Sequence, residues 1–227
     1  MMKSAWRKTA FALAGLALFP CIASAQTDVA LSLYGAFSQS TSGNNTQQSP
    51  ANSAGGLVEL RHIRNPLVGY EATYAYNRDN QGYSTAEMVC PAGGNSCSVS
   101  TAAISANAHE VTGDWIVSLR VVNLKPFVLA GGGLLLNVPT SGSVTTTTCF
   151  LLNPLCQQTT TTASTATSTR GVFVYGAGLD WTVLPHLGLR FQYRGNLYKA
   201  PDMANAFSST NAFTHNAEPM IGIFFRL

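Results

Sequence analysis

Residues 187–198, "LGLRFQYRGNLY", alternate between two kinds of side chain. The odd-numbered positions are apolar or aromatic apart from one glycine. The even-numbered positions include Arg190, Gln192, Arg194 and Asn196. Because a β-strand points successive side chains to opposite faces, this stretch predicts a strand with one apolar face and one face that carries two arginines. The question is which face meets water and what surrounds the other.

The chain as a whole carries few charges. Of its 227 residues, 10% are charged and 46% are hydrophobic, whereas an ordinary globular protein has about 25% charged residues. No long apolar run follows the N-terminal segment. This composition is unusual for a soluble domain, and the length alone allows one or two domains.

Residues 1–25 have the organisation of a cleaved secretory signal peptide. Lys3, Arg7 and Lys8 form a basic start, "TAFALAGLALF" follows as an apolar stretch, and "ASA" at 23–25 fits a cleavage site. The apolar stretch is too short to span a bilayer as a helix. We therefore predict a signal peptide over 1–25 and a mature domain over 26–227, with a retained membrane anchor as the alternative.

The predicted cleavage removes the net charge. The full chain has 13 Lys and Arg against 10 Asp and Glu, a formal net charge of +3. All the acidic residues lie beyond residue 25, so loss of Lys3, Arg7 and Lys8 leaves a neutral chain. The sequence therefore predicts no nucleic-acid partner.

Eight segments of the mature chain are candidate strands. Seven alternate with a period of two, and 125–137 is apolar on both faces, so its facing is undecided. Most are longer than the five or six residues typical of soluble strands, and about 9–11 residues suffice to cross a bilayer at a tilt. The segments are 29–37, 56–62, 67–77, 107–117, 125–137, 171–181, 187–198 and 212–227.

The connections between these segments alternate in length, as in transmembrane barrels. Short ones lie near 63–66, 120–124 and 183–186, and long polar ones span 40–54, 78–105, 138–169 and 199–210. An open sheet in lipid would leave unpaired backbone groups at several kcal/mol each, so the sheet must close. We predict an all-β fold: an eight-stranded antiparallel up-and-down transmembrane β-barrel with short periplasmic turns and long extracellular loops. A soluble β-sandwich or lipocalin-like barrel is the alternative.

The charged residues of the seven alternating strands all fall on the face opposite the apolar one. An eight-stranded barrel has an interior just wide enough for side chains to fill, and buried charges need partners. We therefore predict a polar core of ion pairs, with a polar conduit or gate as the alternative reading. The predicted members are Glu59, Arg61, Glu71, Glu110, Asp114, Asp180, Arg190, Arg194, Glu218 and Arg226.

Four cysteines follow the predicted signal peptide, in two pairs. Cys90 and Cys97 share one long connection, and Cys149 and Cys156 share another. Exported proteins meet an oxidising compartment, so two local disulfides are predicted, although four cysteines allow three pairings. A metal site is the alternative, but a nearby His and a CxxC spacing are both missing, and we predict neither metal nor cofactor.

The connection over 138–169 is rich in Thr and Ser, with "TTTT" occurring twice. Such a tract is low in complexity by composition. Threonine also has a high β-propensity. The segment is therefore expected either as an irregular surface loop or as a ribbon that extends the neighbouring strands above the membrane.

The signal peptide, the eight alternating strands and the terminal "MIGIFFRL" together resemble small Gram-negative outer-membrane β-barrel proteins. The chain is similar to the outer membrane protein β-barrel domain group, related to the transmembrane domain of outer membrane protein A. The resemblance implies an outer-membrane location, contact with its lipids and lipopolysaccharide, and insertion by the barrel assembly machinery. Its recognition signal would be Ile221, Ile223, Phe225 and Leu227, although the usual final residue is Phe.

Some barrels of this kind are enzymes, and acyl transfer needs a nucleophile within reach of a base. Among the histidines, His62 and His186 are placed at the short-turn rim, and His109 and His215 face outward near the long-loop rim. Neither outward histidine has a serine two residues on, and a Gly-x-Ser-x-Gly motif is missing. We predict a non-enzymatic barrel with a structural or surface-recognition role through its loops. The alternatives are a narrow, porin-like channel or carrier for small hydrophobic molecules and a lipid-modifying enzyme.

Overall fold

The computed structural model describes residues 26–64, 67–92, 95–150 and 153–227, so the predicted signal peptide lies outside the described residues. Within these ranges, no helix is long and apolar enough to cross a membrane. The strands in chain order are β1 (Gln26–Ser38), β2 (Thr41–Gly43), β3 (Thr46–Pro50), β4 (Ser53–Ile63), β5 (Val68–Thr85), β6 (Ser96–Ser118), β7 (Leu124–Phe150), β8 (Asn153–Thr162), β9 (Ser168–Leu184), β10 (Leu187–Lys199) and β11 (Phe213–Arg226).

Eight of the described strands close into an antiparallel barrel. β1 pairs with β4 on one side and with β11 on the other. The ring continues from β4 through β5, β6, β7, β9 and β10 to β11. Each predicted strand overlaps one of these eight, so the predicted fold class is confirmed.

Side chains along the barrel strands alternate between the lumen and the outer surface. On β1, Leu31 and Leu33 are 61% and 71% exposed, whereas Ser32 and Tyr34 are each 4% exposed. The outer surface is therefore apolar and the interior is largely polar. A soluble barrel would show the reverse, because a large exposed apolar surface is unfavourable in water.

The structure settles the facing of β7, which the sequence left undecided. Lys125, Phe127 and Asn137 point into the barrel and Val128 points outward. The inward row also contains Gly133, where a Cβ atom would collide with the backbone of β6. This crowding explains why a glycine stands there on the lumen face.

The end of the barrel with the long connections carries an additional sheet. β5, β6 and β7 extend well past the barrel, and β2, β3 and β8 pair with these extensions in the order β2-β3-β5-β6-β7-β8. We call this part the upper sheet. The residues 78–105 and 138–169 are therefore mostly strand. Both segments connect barrel strands, as predicted, but much of their length is paired strand rather than irregular loop. For 138–169, the alternative of a strand extension is confirmed. β-Branched residues and continuous backbone pairing favour this outcome.

Candidate functional site: a filled lumen beneath a folded cap

Arg190 on β10 lies at the centre of the lower lumen and is fully buried. Its guanidinium donates to Asp180 Oδ1 at 2.7 Å and to Asp28 Oδ1 at 3.0 Å, and it also pairs with Glu59. These carboxylates come from β9, β1 and β4. One side chain of β10 thus connects three other strands across the lumen.

Arg61 on β4 forms the second half of this arrangement. Its Nε donates to Glu71 Oε2 at 2.6 Å, and its Nη1 donates to Asp180 Oδ2 at 3.1 Å. The guanidinium carbon lies 4.1 Å from the ring centroid of Phe127, a distance suited to a cation–π contact. Asp180 therefore bridges the two arginines. We call the group Asp28, Glu59, Arg61, Glu71, Asp180 and Arg190 the lower charge cluster.

Arg194 lies nearer the long-connection end, in a group with more acids than bases. Its Nη2 is 3.2 Å from Glu110 Oε1 and 3.9 Å from Asp114 Oδ2. Asn196 donates from Nδ2 to Glu110 Oε2 and to Glu218 Oε1, each at 3.0 Å. We call Glu110, Asp114, Arg194, Asn196 and Glu218 the upper charge cluster. It contains three carboxylates and one arginine.

Nine of the ten charged residues predicted for the lumen are buried there. Arg226 differs: it is only partly buried, and it donates to Thr182 Oγ1 at 3.3 Å rather than to a carboxylate. It lies at the short-turn rim, where the lumen ends. Sequence reasoning missed two members, Asp28 and Lys125. Asp28 directly precedes the predicted first strand, and its even number places it on the same face as the inward residues of that strand. Its inward position could therefore have been predicted by extending the strand by one residue.

The buried ion pairs fill the lumen. Removing a charge from water costs several kcal/mol, which is offset only when partners and hydrogen bonds are in place. A continuous aqueous path would have to expose the side chains of Arg61 and Arg190, yet both are fully buried. The cavity found nearest the upper cluster has a volume of about 20 Å³, enough for one or two water molecules. The described state is therefore closed.

A second closure lies above the lumen. Residues 200–212 connect β10 to β11 and fold over the barrel mouth; we call them the cap segment. Met203 is fully buried, and Ala204 and Phe207 pack with it against the upper sheet. We call this apolar cluster, which also includes Tyr83 and Ile104, the upper core. The segment 199–210 is a long connection between two strands, as predicted. Its burial was not predicted from its polar composition and arises because Met203, Ala204 and Phe207 find apolar partners on the upper sheet.

Hydrogen bonds hold the cap segment on the upper sheet. Tyr83 Oη and Gln48 Nε2 both donate to the carbonyl oxygen of Pro201, each at 3.0 Å. Asn44 Nδ2 donates to the carbonyl oxygen of Ser209 at 2.7 Å. Burial raises the pKa of the Tyr83 hydroxyl above its ordinary value. The hydroxyl therefore stays protonated and can donate to Pro201.

Both local disulfides are formed, Cys90–Cys97 and Cys149–Cys156. The strand register adds a detail that the spacing did not predict. Cys149 on β7 lies directly opposite Cys97 on β6 and directly opposite Cys156 on β8. Three of the four cysteines therefore form one row across the tip of the upper sheet.

The outward histidines pair with tyrosines near the long-connection end. Tyr74 Oη lies 2.8 Å from His109 Nδ1, and Tyr175 Oη lies 2.8 Å from His215 Nε2. Near the opposite rim, His62 contacts Thr27, and His186 lies exposed in a short turn. Within the described residues, no group of three or more His, Cys, Asp or Glu is arranged to hold a metal ion. Outward tyrosines are typical of a membrane–water interface.

Three residues of the predicted assembly signal lie on the outer face of β11, and the fourth, Leu227, directly follows that strand. Ile221, Ile223, Phe225 and Leu227 are all exposed, and β11 closes the barrel against β1. The placement leaves these side chains accessible from the membrane side. Their recognition by the assembly machinery stays a prediction.

No protein-family model matches the chain, and no curated protein matches it. Solved structures with a similar fold include Ail of Yersinia pestis in complex with the heparin analogue sucrose octasulfate (13% identity, TM-score 0.43, 90% of this chain and 99% of that one). Neisserial surface protein A matches at 12% identity and a TM-score of 0.45, over 89% and 98%. OprG, an outer membrane protein of Pseudomonas aeruginosa, matches at 8% and 0.47, over 90% and 97%. Similarity this weak carries no functional argument, and the fold assignment rests on the strand pairing of this chain.

Proposed function

We propose that the protein is a non-enzymatic, non-conducting outer-membrane barrel that presents its upper sheet at the cell surface. The observation that carries this proposal is the double closure of the barrel. Ion pairs fill the lumen at the level of Arg61 and Arg190, and the cap segment covers the mouth above them. A barrel closed twice is suited to anchoring a surface rather than to transport.

The outer face of the barrel supports a membrane location. Apolar side chains such as Leu33, Val111 and Ile221 are exposed around it. Trp115 and Trp181 lie towards the short-turn end, and the tyrosine–histidine pairs lie towards the other. Aromatic residues at both edges of an apolar band are typical of bilayer-spanning barrels.

The orientation follows from the difference between the two ends. Short turns face the periplasm in outer-membrane barrels, and the longer connections face outward. The upper sheet, with its two disulfides, would then lie outside the cell, where disulfides persist. Its β8 surface offers exposed Gln157, Gln158, Thr159 and Thr160. This surface is neutral and would bind a partner by hydrogen bonds.

Conductance in planar bilayers tests the closure. The wild-type barrel should show no steady ionic current, because the buried ion pairs leave no aqueous path. A shortened variant that lacks the central cap residues 203–208 should also show no ionic current if the ion pairs alone are sufficient to close the lumen. Steady current through the wild-type protein would instead support the alternative, a narrow channel or carrier for small molecules.

Surface labelling tests the orientation independently. In a Lys199→Arg background, Gln158→Lys places an amine on exposed β8, and Val122→Lys places one in the exposed turn at the opposite end. A membrane-impermeant amine reagent should modify residue 158 in intact cells. It should reach residue 122 only after permeabilisation, as read by peptide mass spectrometry. The opposite pattern would contradict the proposed orientation.

A further inference from the structure

The small cavity in the upper lumen, lined by Glu110 and Glu218 of the upper charge cluster, contains polar atoms without partners. Asn137 on β7 lines this cavity and is fully buried. Neither its Oδ1 nor its Nδ2 has a hydrogen-bond partner within the described ranges. Buried polar groups are nearly always satisfied, and an orphaned one costs about 1–3 kcal/mol. A ligand that is not part of this chain would satisfy it.

The other orphaned atoms near this cavity are mostly acceptors. Asn216 donates from Nδ2 to Glu218 Oε1 at 2.8 Å, so its Oδ1 is left over. Asn196 uses Nδ2 for two carboxylates, which leaves its Oδ1 unpaired, and Glu218 Oε2 is also unpaired. Reversing either amide would place an oxygen against a carboxylate oxygen, so the surplus of acceptors does not depend on how the amides are assigned.

The net charge of this region, like its surplus of hydrogen-bond acceptors, favours the binding of a cation. Glu110 and Asp114 lie 3.2 and 3.9 Å from Arg194 Nη2, and Asn196 links Glu218 to Glu110. Asp79 also lines the cavity. When ionised, Glu110, Asp114 and Glu218 alone exceed the positive charge of Arg194 by two. Water molecules in the cavity would satisfy acceptor atoms but would leave that excess uncompensated, and a buried uncompensated charge is strongly unfavourable.

We propose that the upper lumen is a binding site for one hard divalent cation, with Ca²⁺ preferred over Mg²⁺. The ligands would be carboxylate oxygens of Glu110 and Glu218 and amide oxygens of Asn137 and Asn216, completed by water. Carboxylate and amide oxygens are the donors that Ca²⁺ takes, in flexible geometries. Mg²⁺ demands near-ideal octahedral coordination, which side chains from three separate strands do not provide. With only two carboxylates among its ligands, the site differs from the ordinary acidic metal cluster.

The consequence is structural. Glu110 lies on β6, Asn137 on β7, and Asn216 and Glu218 on β11. An ion held between them would connect strands on different sides of the upper lumen. The cation would therefore stabilise the upper lumen and strengthen the closure of the barrel.

The test uses the full mature barrel, refolded in zwitterionic detergent without lipopolysaccharide, since that lipid binds Ca²⁺ itself. Samples refolded with Ca²⁺, with Mg²⁺ or with a chelator are desalted, and the bound metal and the melting temperature are measured. We expect about one Ca²⁺ per barrel, and a melting temperature roughly 5–10 °C higher when free Ca²⁺ is about 100-fold above its dissociation constant. Mg²⁺ should have a smaller effect.

Matched variants separate a specific site from a general effect of Ca²⁺. Glu218→Gln keeps the shape and removes one charge, so it should lose both the retained Ca²⁺ and the Ca²⁺-dependent rise in melting temperature. Asn137→Leu should reduce the amount of Ca²⁺ that the barrel retains. Glu87→Gln changes an acid exposed on the upper connections and should behave as the wild type.

Two results would overturn the proposal. One is a wild-type barrel that retains no Ca²⁺ and melts at the same temperature with Ca²⁺ and with chelator. The other is a Glu218→Gln variant that is stabilised equally under both conditions, which would mean that bound protons compensate the surplus charge. The stoichiometry of the wild type decides the question even if a variant fails to fold.

Discussion

The lower lumen and the upper core are both buried, yet they are built from opposite kinds of residue. The lower lumen is held by ion pairs of Arg61 and Arg190, whereas the upper core is apolar, with Ile104, Met203 and Phe207. The same strands supply both. On β6, the inward residues change from charged at Glu110 to apolar at Ile104, and the outward residues change from apolar to polar in parallel.

The surrounding solvent explains this reversal. Where lipid surrounds the barrel, apolar residues are needed on the outside, so the polar residues of each strand are left for the lumen. Above the membrane the outer face meets water, and the hydrophobic effect again drives apolar residues inward. The inward face of one strand therefore changes from polar to apolar where the chain leaves the bilayer. The cap segment is buried because it lies above that level.

The largest effect is expected from Arg190→Ala, in the lower lumen. Arg190 contacts Asp28, Glu59 and Asp180. Its loss leaves Asp28 and Glu59 buried without an ion-pair partner, and Arg61 remains as the ion-pair partner of Asp180. Breaking one buried pair costs about 3–5 kcal/mol, so the folded barrel should lose its heat resistance in a gel-shift assay. It should also begin to conduct ions, because the ion pairs that fill the lumen are broken.

Arg226→Ala is the matched control, since Arg226 lies at the rim and donates to Thr182 rather than to a carboxylate. It should melt like the wild type. The melting temperature of Arg194→Ala should lie between those of Arg190→Ala and Arg226→Ala. Arg194 has one close carboxylate partner, Glu110, and a more distant one, Asp114. An Arg190→Ala barrel of unchanged stability would show that the lower charge cluster is solvated in the membrane.

A smaller and more local effect is expected from Met203→Ala, in the upper core. Truncating a buried Met costs about 2–5 kcal/mol. Because the upper core is separate from the lumen, the loss should open the cap segment and leave the barrel folded. Limited proteolysis should cut within residues 200–212, while the heat-dependent gel shift stays as in the wild type. Ser208→Ala, at an exposed position of the same segment, is the control. Loss of the barrel itself would mean that the two regions fold as one unit.

Reduction of the disulfides should have a still smaller effect, confined to the tip of the upper sheet. Each disulfide closes a short loop, which the chain-entropy model values at about 2–3 kcal/mol. Reduced protein should be cleaved near Cys90 and Cys149 and keep its barrel. Peptide mapping without reduction should recover Cys90–Cys97 and Cys149–Cys156. Recovery of a Cys97–Cys149 link would show that the two opposed strands exchange partners.

The smallest effect is expected from Tyr83→Phe, which removes the hydroxyl that binds the cap segment. One hydrogen bond of this kind contributes about 0.5–1.5 kcal/mol. Because burial raises the pKa of Tyr83 above 10, the protonated form stabilises the folded cap fully below pH 10, and this stability is lost as the pH rises further. Proteolysis of the cap should therefore increase at strongly alkaline pH in the wild type. Proteolysis of the Tyr83→Phe variant should depend less on pH. If both proteins show the same pH dependence, a different titrating group causes it.

The barrel strands and the facing of most of their side chains could be predicted from local sequence patterns. A period of two is a property of the extended backbone, so Arg190 and Arg194 had to share a face opposite Phe191 and Tyr193. The local disulfides also followed from the sequence, because each cysteine pair is separated by only six residues. The facing of β7 was not determined, since both of its faces are apolar in the lower half.

The pairing of the charged residues and the closure of the barrel mouth could not be predicted, because both depend on contacts between distant parts of the chain. Arg190 and Asp28 are 162 residues apart, and their contact depends on barrel closure and strand register, which a local pattern does not contain. The same holds for the oxygen-lined cavity at Asn137 and for the burial of Met203. A connecting segment has no periodic pattern of its own, and its environment is set by the extended strands β5, β6 and β7 that it folds against.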